Sequence, residues 1–138
     1  MSQENVEVVR GYLADDRAHR EVWDQRGDYY PVQKFPESRP CHGIEEIERF
    51  HREFREAWEH VNLGIEAITT VADDRVLVSA VLAAEGRESG LNLHSKLYYC
   101  FWLRQGRVFR QEDHLTLRGA LRALGLSGVT LEAAGLSE

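Results

Sequence analysis

The fold is decided by residues 93–115, which read LHSKLYYCFWLRQGRVFRQEDHL. Aromatic and β-branched residues are dense on both sides of Gly106, as is typical of paired strands. Gly106 can adopt the left-handed backbone conformation that closes a tight turn. The stretch therefore predicts two long antiparallel strands joined by a β-hairpin at Gln105 and Gly106.

Two registers of this hairpin would place different side chains on the inner face of the sheet. A two-residue loop pairs Leu103 with Val108 and puts Arg110 and Glu112 beneath the aromatic side chains. A three-residue loop pairs Leu103 with Arg107. The second register collects one mostly apolar face: Leu97, Tyr99, Phe101, Leu103, Phe109, Gln111, Asp113 and Leu115. We favour it because the first register makes a poor core, and a slip of one residue moves every side chain to the other face.

The composition is that of one ordinary globular domain, with 138 residues, 43% of them hydrophobic, and a net charge of −6. We assign residues 1–125 to this domain and the weakly patterned residues 126–138 to a C-terminal tail. The acidic charge, with Lys and Arg interleaved among acids, argues against nucleic acid as a partner. No apolar run approaches the roughly 20 residues that span a bilayer, so we expect no membrane partner. The polar first residues lack a signal-peptide pattern, so we expect a cytoplasmic protein.

The first half of the chain predicts mainly helices. Residues 5–16 are amphipathic, and residues 18–25 form a second, shorter helix. Residues 28–39 contain two prolines and therefore predict an edge strand or an ordered loop. Residues 44–60 are the clearest helix, because hydrophobic side chains recur at positions i, i+3, i+4 and i+7.

The second half predicts four strands, at residues 61–71, 76–85, 93–103 and 107–116, and a helix at 117–124. The first strand loses its alternation near Ala67 and Ile68, which indicates a β-bulge. Short turns make the four strands antiparallel, and helices segregated on one face of such a sheet give an α+β domain. We predict a curved, mostly antiparallel or mixed sheet wrapped around the long helix, which leaves a conical cavity.

Several segments carry a resemblance to a known family. The chain opens with MSQENVEVVR at residues 1–10, KFPES at 34–38 precedes CHGIEEI at 41–47, and LRQGRV spans 103–108. These segments resemble the SnoaL-like proteins of the nuclear-transport-factor-2-like superfamily, the cystatin-like α+β cones. The resemblance covers nearly the whole chain and implies the cone fold and a dimer. It implies no single activity, because cyclases, isomerases, dehydratases, hydrolases and binding proteins share this fold.

The same resemblance points to the last strand as the site of chemistry. SnoaL-type polyketide cyclases carry there an Asp, in a His-Trp-Asp run, that acts as general acid and base. The matching run is Gln111-Glu112-Asp113, which keeps the Asp at Asp113 and replaces the His by Gln111. A pocket His of the preceding strand corresponds to Tyr99. The resemblance therefore implies a proton-transfer carboxylate at Asp113 without its usual histidines.

The residues themselves allow functional and structural roles. Asp113 on the apolar face would have a raised pKa, which suits proton transfer at neutral pH. It could instead cap the helix after Thr116 or pair with an arginine. Tyr99 could polarise a carbonyl, an oxyanion-type role, or be a core aromatic. Gln111 could orient a ligand or Asp113.

Further apolar side chains predict a lined pocket. We expect these ligand-binding residues besides Gln111: Trp58, Phe54, Leu97, Phe101, Tyr30, Phe35 and Leu115. Such a lining fits a small hydrophobic, ring-containing ligand. The six histidines show no metal-binding spacing, and there is no Gly-rich phosphate loop, so we expect no metal and no cofactor.

The opposite face of the sheet is also apolar, with Tyr98, Cys100, Trp102 and Val108. A sheet that is apolar on both sides needs cover on both, so we predict a homodimer packed sheet on sheet. The predicted function is binding of a small hydrophobic molecule, extended by cyclase-, isomerase- or dehydratase-like acid/base conversion at Asp113. The alternatives are a non-catalytic ligand-binding or accessory domain and a structural dimerisation module.

Overall fold

A computed structural model describes residues 2–15, 19–32 and 38–126. The predicted ligand-binding residue Phe35 and tail residues 127–138 lie outside these ranges. The helices are α1 (Ser2–Ala14), α2 (His19–Val22), α3 (Ile44–Ala57) and α4 (Leu117–Ala123). The strands are β1 (Trp23–Tyr30), β2 (Cys41–His42), β3 (Trp58–Ala72), β4 (Arg75–Gly86), β5 (Asn92–Arg104) and β6 (Arg107–His114). Within the described ranges, none of the helices has the length and apolar character needed to span a membrane.

The six strands form one curved, mixed sheet in the order β2-β1-β6-β5-β4-β3. Strand β1 runs parallel to β6, and all other neighbouring strands are antiparallel. Helices α1 and α3 pack on the inner, concave face, and α4 packs on the outer face. The predicted α+β cone is therefore confirmed, including the mixed character of its sheet.

The turn of the β5–β6 hairpin differs from the prediction. Arg104 pairs with Arg107, so the loop has only two residues. Both loop residues have positive φ angles, 53° at Gln105 and 76° at Gly106. This combination is the type I′ turn that matches the twist of a hairpin. The predicted three-residue loop is therefore wrong.

A β-bulge restores the predicted faces beyond this turn. Between the pairs Leu103–Val108 and Trp102–Arg110, β6 contains one extra residue, Phe109. The extra residue shifts the register of the remaining strand by one position. It brings the two predicted catalytic residues, Tyr99 and Asp113, directly opposite each other. Beyond the bulge, from Arg110 to His114, the side chains therefore lie on the faces that we predicted, although the turn and the bulge were not predicted.

The bulge also reverses two predicted orientations. Val108, which we expected on the outer face, is fully buried in the inner core. Phe109, which we expected on the inner face, is only partly buried, and the Arg104 guanidinium lies 4.6 Å from its ring centroid. The reason is that the extra residue changes the alternation of side chains between Val108 and the rest of the strand.

Strand β1 is interior to the sheet, whereas we predicted an edge strand or ordered loop for residues 28–39, which include its last three residues. It begins at Trp23, inside the segment 18–25 for which we predicted a helix, because α2 already ends at Val22, and it stops at Tyr30, directly before Pro31. Opposite β6 it is irregular: Trp23 pairs with Val108, and the next pair begins at Asp28. A Cβ at Gly27 would lie 2.5 Å from Cε3 of the buried Trp23 ring, so this irregularity requires glycine.

Helix α3 ends at Ala57, three residues before its predicted end. Trp58 has an extended backbone, with φ −125° and ψ 147°, and pairs with Gly86 as the first residue of β3. The bulge predicted in β3 is present, between Ile65 and Ala67.

Helix α4 covers part of the outer face. Thr116 caps it, with the Gly119 backbone N–H donating to Thr116 Oγ1 at 3.0 Å. Its apolar side chains and three from the sheet form a separate core: Leu77, Tyr98, Cys100, Leu117, Ala120, Leu121 and Leu124. The apolar outer face is therefore covered partly by the chain itself.

Candidate functional site

Asp113 lies near the end of β6 and is held by two hydrogen bonds on the inner face. The Tyr29 hydroxyl donates to Asp113 Oδ2 at 2.5 Å. The Gln111 amide Nε2 donates to Oδ1 at 2.8 Å. Thr116, not Asp113, caps α4, and no arginine in the described part of the chain pairs with this carboxyl. Each carboxylate oxygen thus has one fixed donor.

Burial raises the pKa of Asp113 from its ordinary value of 3.8 to about 7. The hydrogen bonds from Tyr29 and Gln111 and the nearby His114 oppose this rise, and the neighbouring Glu112 adds to it. A carboxyl with a pKa near neutral exists in both protonation states at physiological pH, which suits a group that accepts and returns a proton.

Tyr99 provides a hydroxyl directly across the strand pair from Asp113. The side chain is 7% exposed, and burial followed by the Asp113 charge raises its pKa well above the ordinary value. It therefore remains a neutral phenol. Its hydroxyl donates to no other residue in the ranges that the structure describes, so it is able to donate to a ligand.

His51 of α3 lies behind Tyr29. The Tyr29 ring stacks on the His51 ring, with centroids 5.7 Å apart and planes at 13°. His51 Nε2 lies 3.0 Å from the Tyr12 hydroxyl, and the His19 ring centroid is 4.5 Å from that of His51. Burial, followed by the charges of His19 and Arg55, lowers the pKa of His51 to about 3. His51 is therefore neutral at pH 7.

Sequence reasoning missed Tyr29 and His51 as site residues. His51 carried a usable signal, because it is four residues after Ile47 and seven after Ile44 on the apolar stripe of α3. The sequence around Tyr29 carried no such signal, because the side chain points inward only as a result of the irregular pairing of β1 with β6.

The structure brings together five of the predicted site residues on the inner face: Asp113, Tyr99, Gln111, Leu97 and Phe101. Leu115 is partly buried against the same core. Phe54 and Trp58 stack at the α3–β3 junction, with ring centroids 6.2 Å apart. Tyr30 is not brought to Asp113. It lies on the outer face, with the Arg110 guanidinium 4.7 Å from its ring centroid.

Two other features of the described residues lie apart from Asp113. A cavity of about 30 Å³ adjoins the start of α3, lined by Arg39, Pro40, Cys41, Glu46, Arg49, Phe50 and Glu53. One group of three potential metal ligands, Glu59, His60 and Glu85, is exposed or only partly buried. The Arg87 guanidinium bonds Glu59 at 3.3 Å, and its positive charge opposes cation binding there.

No family model matches this chain, and no curated protein matches it. Solved structures do. A proposed SnoaL-like polyketide cyclase from Jannaschia sp. CCS1 is 20% identical with a TM-score of 0.72, covering 94% of this chain and 95% of that one. A protein of ketosteroid isomerase-like fold from Catenulispora acidiphila, in complex with trimethylamine, is 17% identical with a TM-score of 0.69, covering 95% and 94%.

TerC, co-crystallised with polyporic acid, is similar over 88% of this chain and 97% of its own, at 17% identity and a TM-score of 0.68. At these identities the likeness concerns the fold. It agrees with the resemblance seen in the sequence. The chain therefore has the α+β cone fold that SnoaL-like and nuclear-transport-factor-2-like proteins share.

Proposed function

We propose that the protein, acting in the cytoplasm, binds a small hydrophobic molecule inside the cone and moves a proton on it with Asp113. The observation that carries the proposal is the setting of this carboxyl. It has a pKa of about 7, two fixed donors, and the Tyr99 phenol across the strand pair, whose hydroxyl has no hydrogen-bond partner among the described residues. A group that titrates near neutral pH on an apolar face is typical of general acid/base sites.

The chemistry follows from these two side chains. Ionised Asp113 takes a proton from a carbon next to a ligand carbonyl, and the Tyr99 hydroxyl donates a hydrogen bond to the carbonyl oxygen as it gains negative charge. Where a β,γ double bond of the ligand is conjugated with the enolate, Asp113 then returns its proton to the γ carbon and the double bond moves to the α,β position, which is an isomerisation. Alternatively, the enolate carbon attacks a second carbonyl of the ligand, whose oxygen takes the proton, which is a cyclisation.

The apolar surroundings support a hydrophobic ligand. Partly buried side chains pack against the inner core along α3, β3 and β5 and beyond β6: Phe50, Phe54, Leu63, Leu93 and Leu115. Ile65, two residues after Leu63 in β3, is 38% exposed. Proteins of this fold are solved with trimethylamine and with polyporic acid, so the fold accommodates small molecules.

The pH dependence of exchange tests this function. In D₂O, the wild-type protein is expected to accelerate exchange of the hydrogens next to the carbonyl of 1-tetralone, followed by ¹H NMR. The catalysed rate should rise from about pH 6 and level off above about pH 8, because only ionised Asp113 accepts a proton. The midpoint should lie at about 7, the pKa of Asp113.

The alternatives give different results in the same experiment. A non-catalytic binding or accessory domain would bind 1-tetralone, seen as ligand line broadening, without accelerating exchange. A structural dimerisation module would neither bind the probe nor exchange it. A catalysed rate that does not change between pH 6 and pH 8 would contradict the assignment of Asp113 as the base.

We also propose that two copies pair through the part of the outer face that the described residues leave partly exposed. This part contains Tyr30, Arg110 and Trp102. The Arg110 guanidinium lies 4.7 Å from the Tyr30 ring centroid and 5.4 Å from that of Trp102. Glu112 fixes it from the side, with Arg110 Nη2 donating at 2.6 Å. Rigid aromatic and arginine side chains of this kind are enriched at the centres of protein interfaces.

Light scattering tests the pairing. The wild-type protein at micromolar concentration should have twice the chain mass of 15.9 kDa. Trp102→Glu should yield the single-chain mass, because it buries an unpaired charge between two sheets. Leu91→Glu, at a loop residue that is 66% exposed, is the control and should stay dimeric. A wild-type mass of one chain would rule the dimer out.

A further inference from the structure

We propose that Tyr29 is the positioning residue for Asp113, and that the two inner tyrosines divide their work, Tyr29 holding the carboxylate and Tyr99 holding the ligand. The inference rests on the proposed acid/base function of Asp113. Its geometric basis is the 2.5 Å hydrogen bond from the Tyr29 hydroxyl to Asp113 Oδ2. Gln111 occupies the other oxygen, Oδ1, so both ends of the carboxylate are anchored.

The irregular start of β1 places Tyr29 next to Asp113. Trp23 pairs with Val108, and pairing resumes only at Asp28, so four residues of β1 are left without partners on β6. Gly27, packed against the Trp23 ring, closes this irregular segment. Pairing then resumes in a register that sets Tyr29 beside Gln111 and points its side chain into the cone.

The ring of Tyr29 is immobilised on several sides. It is 5% exposed. Phe50 contacts it edge-on at a centroid distance of 5.2 Å, His51 stacks on it at 5.7 Å, and Trp23 lies 6.5 Å away. A ring held in this way keeps its hydroxyl aimed at the carboxylate without further loss of side-chain freedom when a ligand binds.

This hydrogen bond stabilises the charged form of Asp113 against its burial. The hydroxyl of Tyr29 stays protonated, because burial and the Asp113 charge raise its own pKa well above the ordinary value. Tyr99 has no such bond, so its hydroxyl is the one left for the ligand. The other titratable groups near Asp113 among the described residues are Glu112 and His114, its neighbours on β6, and Cys100 on β5.

The test compares Tyr29→Phe with Tyr30→Phe. The two substitutions remove the same hydroxyl from adjacent residues, one on the inner face and one on the outer face, and both keep an aromatic ring. Carboxyl ¹³C NMR titration of each full-length variant gives the pKa of Asp113, with Asp113→Asn used for assignment. Tyr29→Phe should raise it by about one unit, because a hydrogen bond to a charged group is lost. Tyr30→Phe should leave it unchanged.

The exchange of 1-tetralone then separates this inference from the function it rests on. In Tyr29→Phe, the midpoint of the pH profile should move upward together with the pKa of Asp113, a change that a purely structural tyrosine would not cause. An unchanged pKa in Tyr29→Phe overturns the positioning role. If the wild type catalyses no exchange while the pKa still moves, the acid/base function fails and the control of Asp113 by Tyr29 stands.

Discussion

Asp113→Asn is expected to abolish catalysed proton exchange while making the fold less sensitive to high pH. An amide cannot accept the proton, and loss of a general base typically lowers the rate about 10²- to 10⁴-fold. The matched control is Asp73→Asn, at an exposed aspartate of the β3–β4 turn, which should leave the rate unchanged. The measurement is again ¹H NMR exchange of 1-tetralone at pH 8.

The stability effect of the same substitution follows from the raised pKa. In the unfolded chain Asp113 ionises near its ordinary pKa of 3.8, and in the fold near 7. The folded state therefore binds this proton more tightly, so the contribution of Asp113 to stability is full below about pH 4 and is lost as the pH rises through 7. Three units correspond to about 4 kcal/mol at most. Asn cannot ionise, so the variant does not lose this contribution.

The local hydrogen bonds allow the amide to fit. Tyr29 can still donate to the oxygen of Asn at position 113. The Gln111 Oε1 atom is buried and has no hydrogen-bond partner within the described residues, so a rotated Gln111 amide can accept from the new Nδ2. Urea unfolding at pH 4 and pH 8 measures the effect. Equal losses of stability in wild type and variant over this range would show that the pKa of Asp113 is not raised.

Trp23→Ala is expected to destabilise the fold by about 3–5 kcal/mol, the cost of deleting a large buried aromatic side chain. Trp23 is completely buried where β1, α1 and β6 meet. Its ring contacts the Tyr12 ring at 6.2 Å and the Tyr29 ring at 6.5 Å, and it packs on Gly27. The cavity would therefore loosen both the core and the residue that holds Asp113. Urea unfolding at pH 7 gives the magnitude.

Trp23→Phe is the matched control. It keeps an aromatic ring in the core and removes Nε1, which is buried without a hydrogen-bond partner in the described part of the chain. Loss of an unsatisfied donor removes a desolvation cost, so Phe should cost less than half as much as Ala. If Ala were tolerated within about 0.5 kcal/mol, the range of ordinary surface substitutions, Trp23 could not be the centre of this core.

The sequence by itself determined that Tyr99 and Asp113 share a face of the hairpin, although it assigned Val108 and Phe109 to the wrong faces. Side chains of a strand alternate with a period of two residues, so Tyr99 and Asp113 could be assigned to one side from local pattern alone. The amphipathic repeat predicted α3 within three residues of its end, and the resemblance of several segments predicted the cone. These features depend on neighbours in the chain, which is why the sequence sufficed.

Only the tertiary structure decided the register and the partners. The turn is one residue shorter than predicted. The bulge at Phe109 adds one residue to β6, so the side chains beyond it return to the faces that we predicted. Tyr29 reaches Asp113 across 84 positions of the chain, whereas Tyr30, which we predicted to line the pocket, lies on the outer face. That contact exists because β1 lies parallel to β6 and Trp23 packs on Gly27, and no local pattern encodes a pairing between such distant strands.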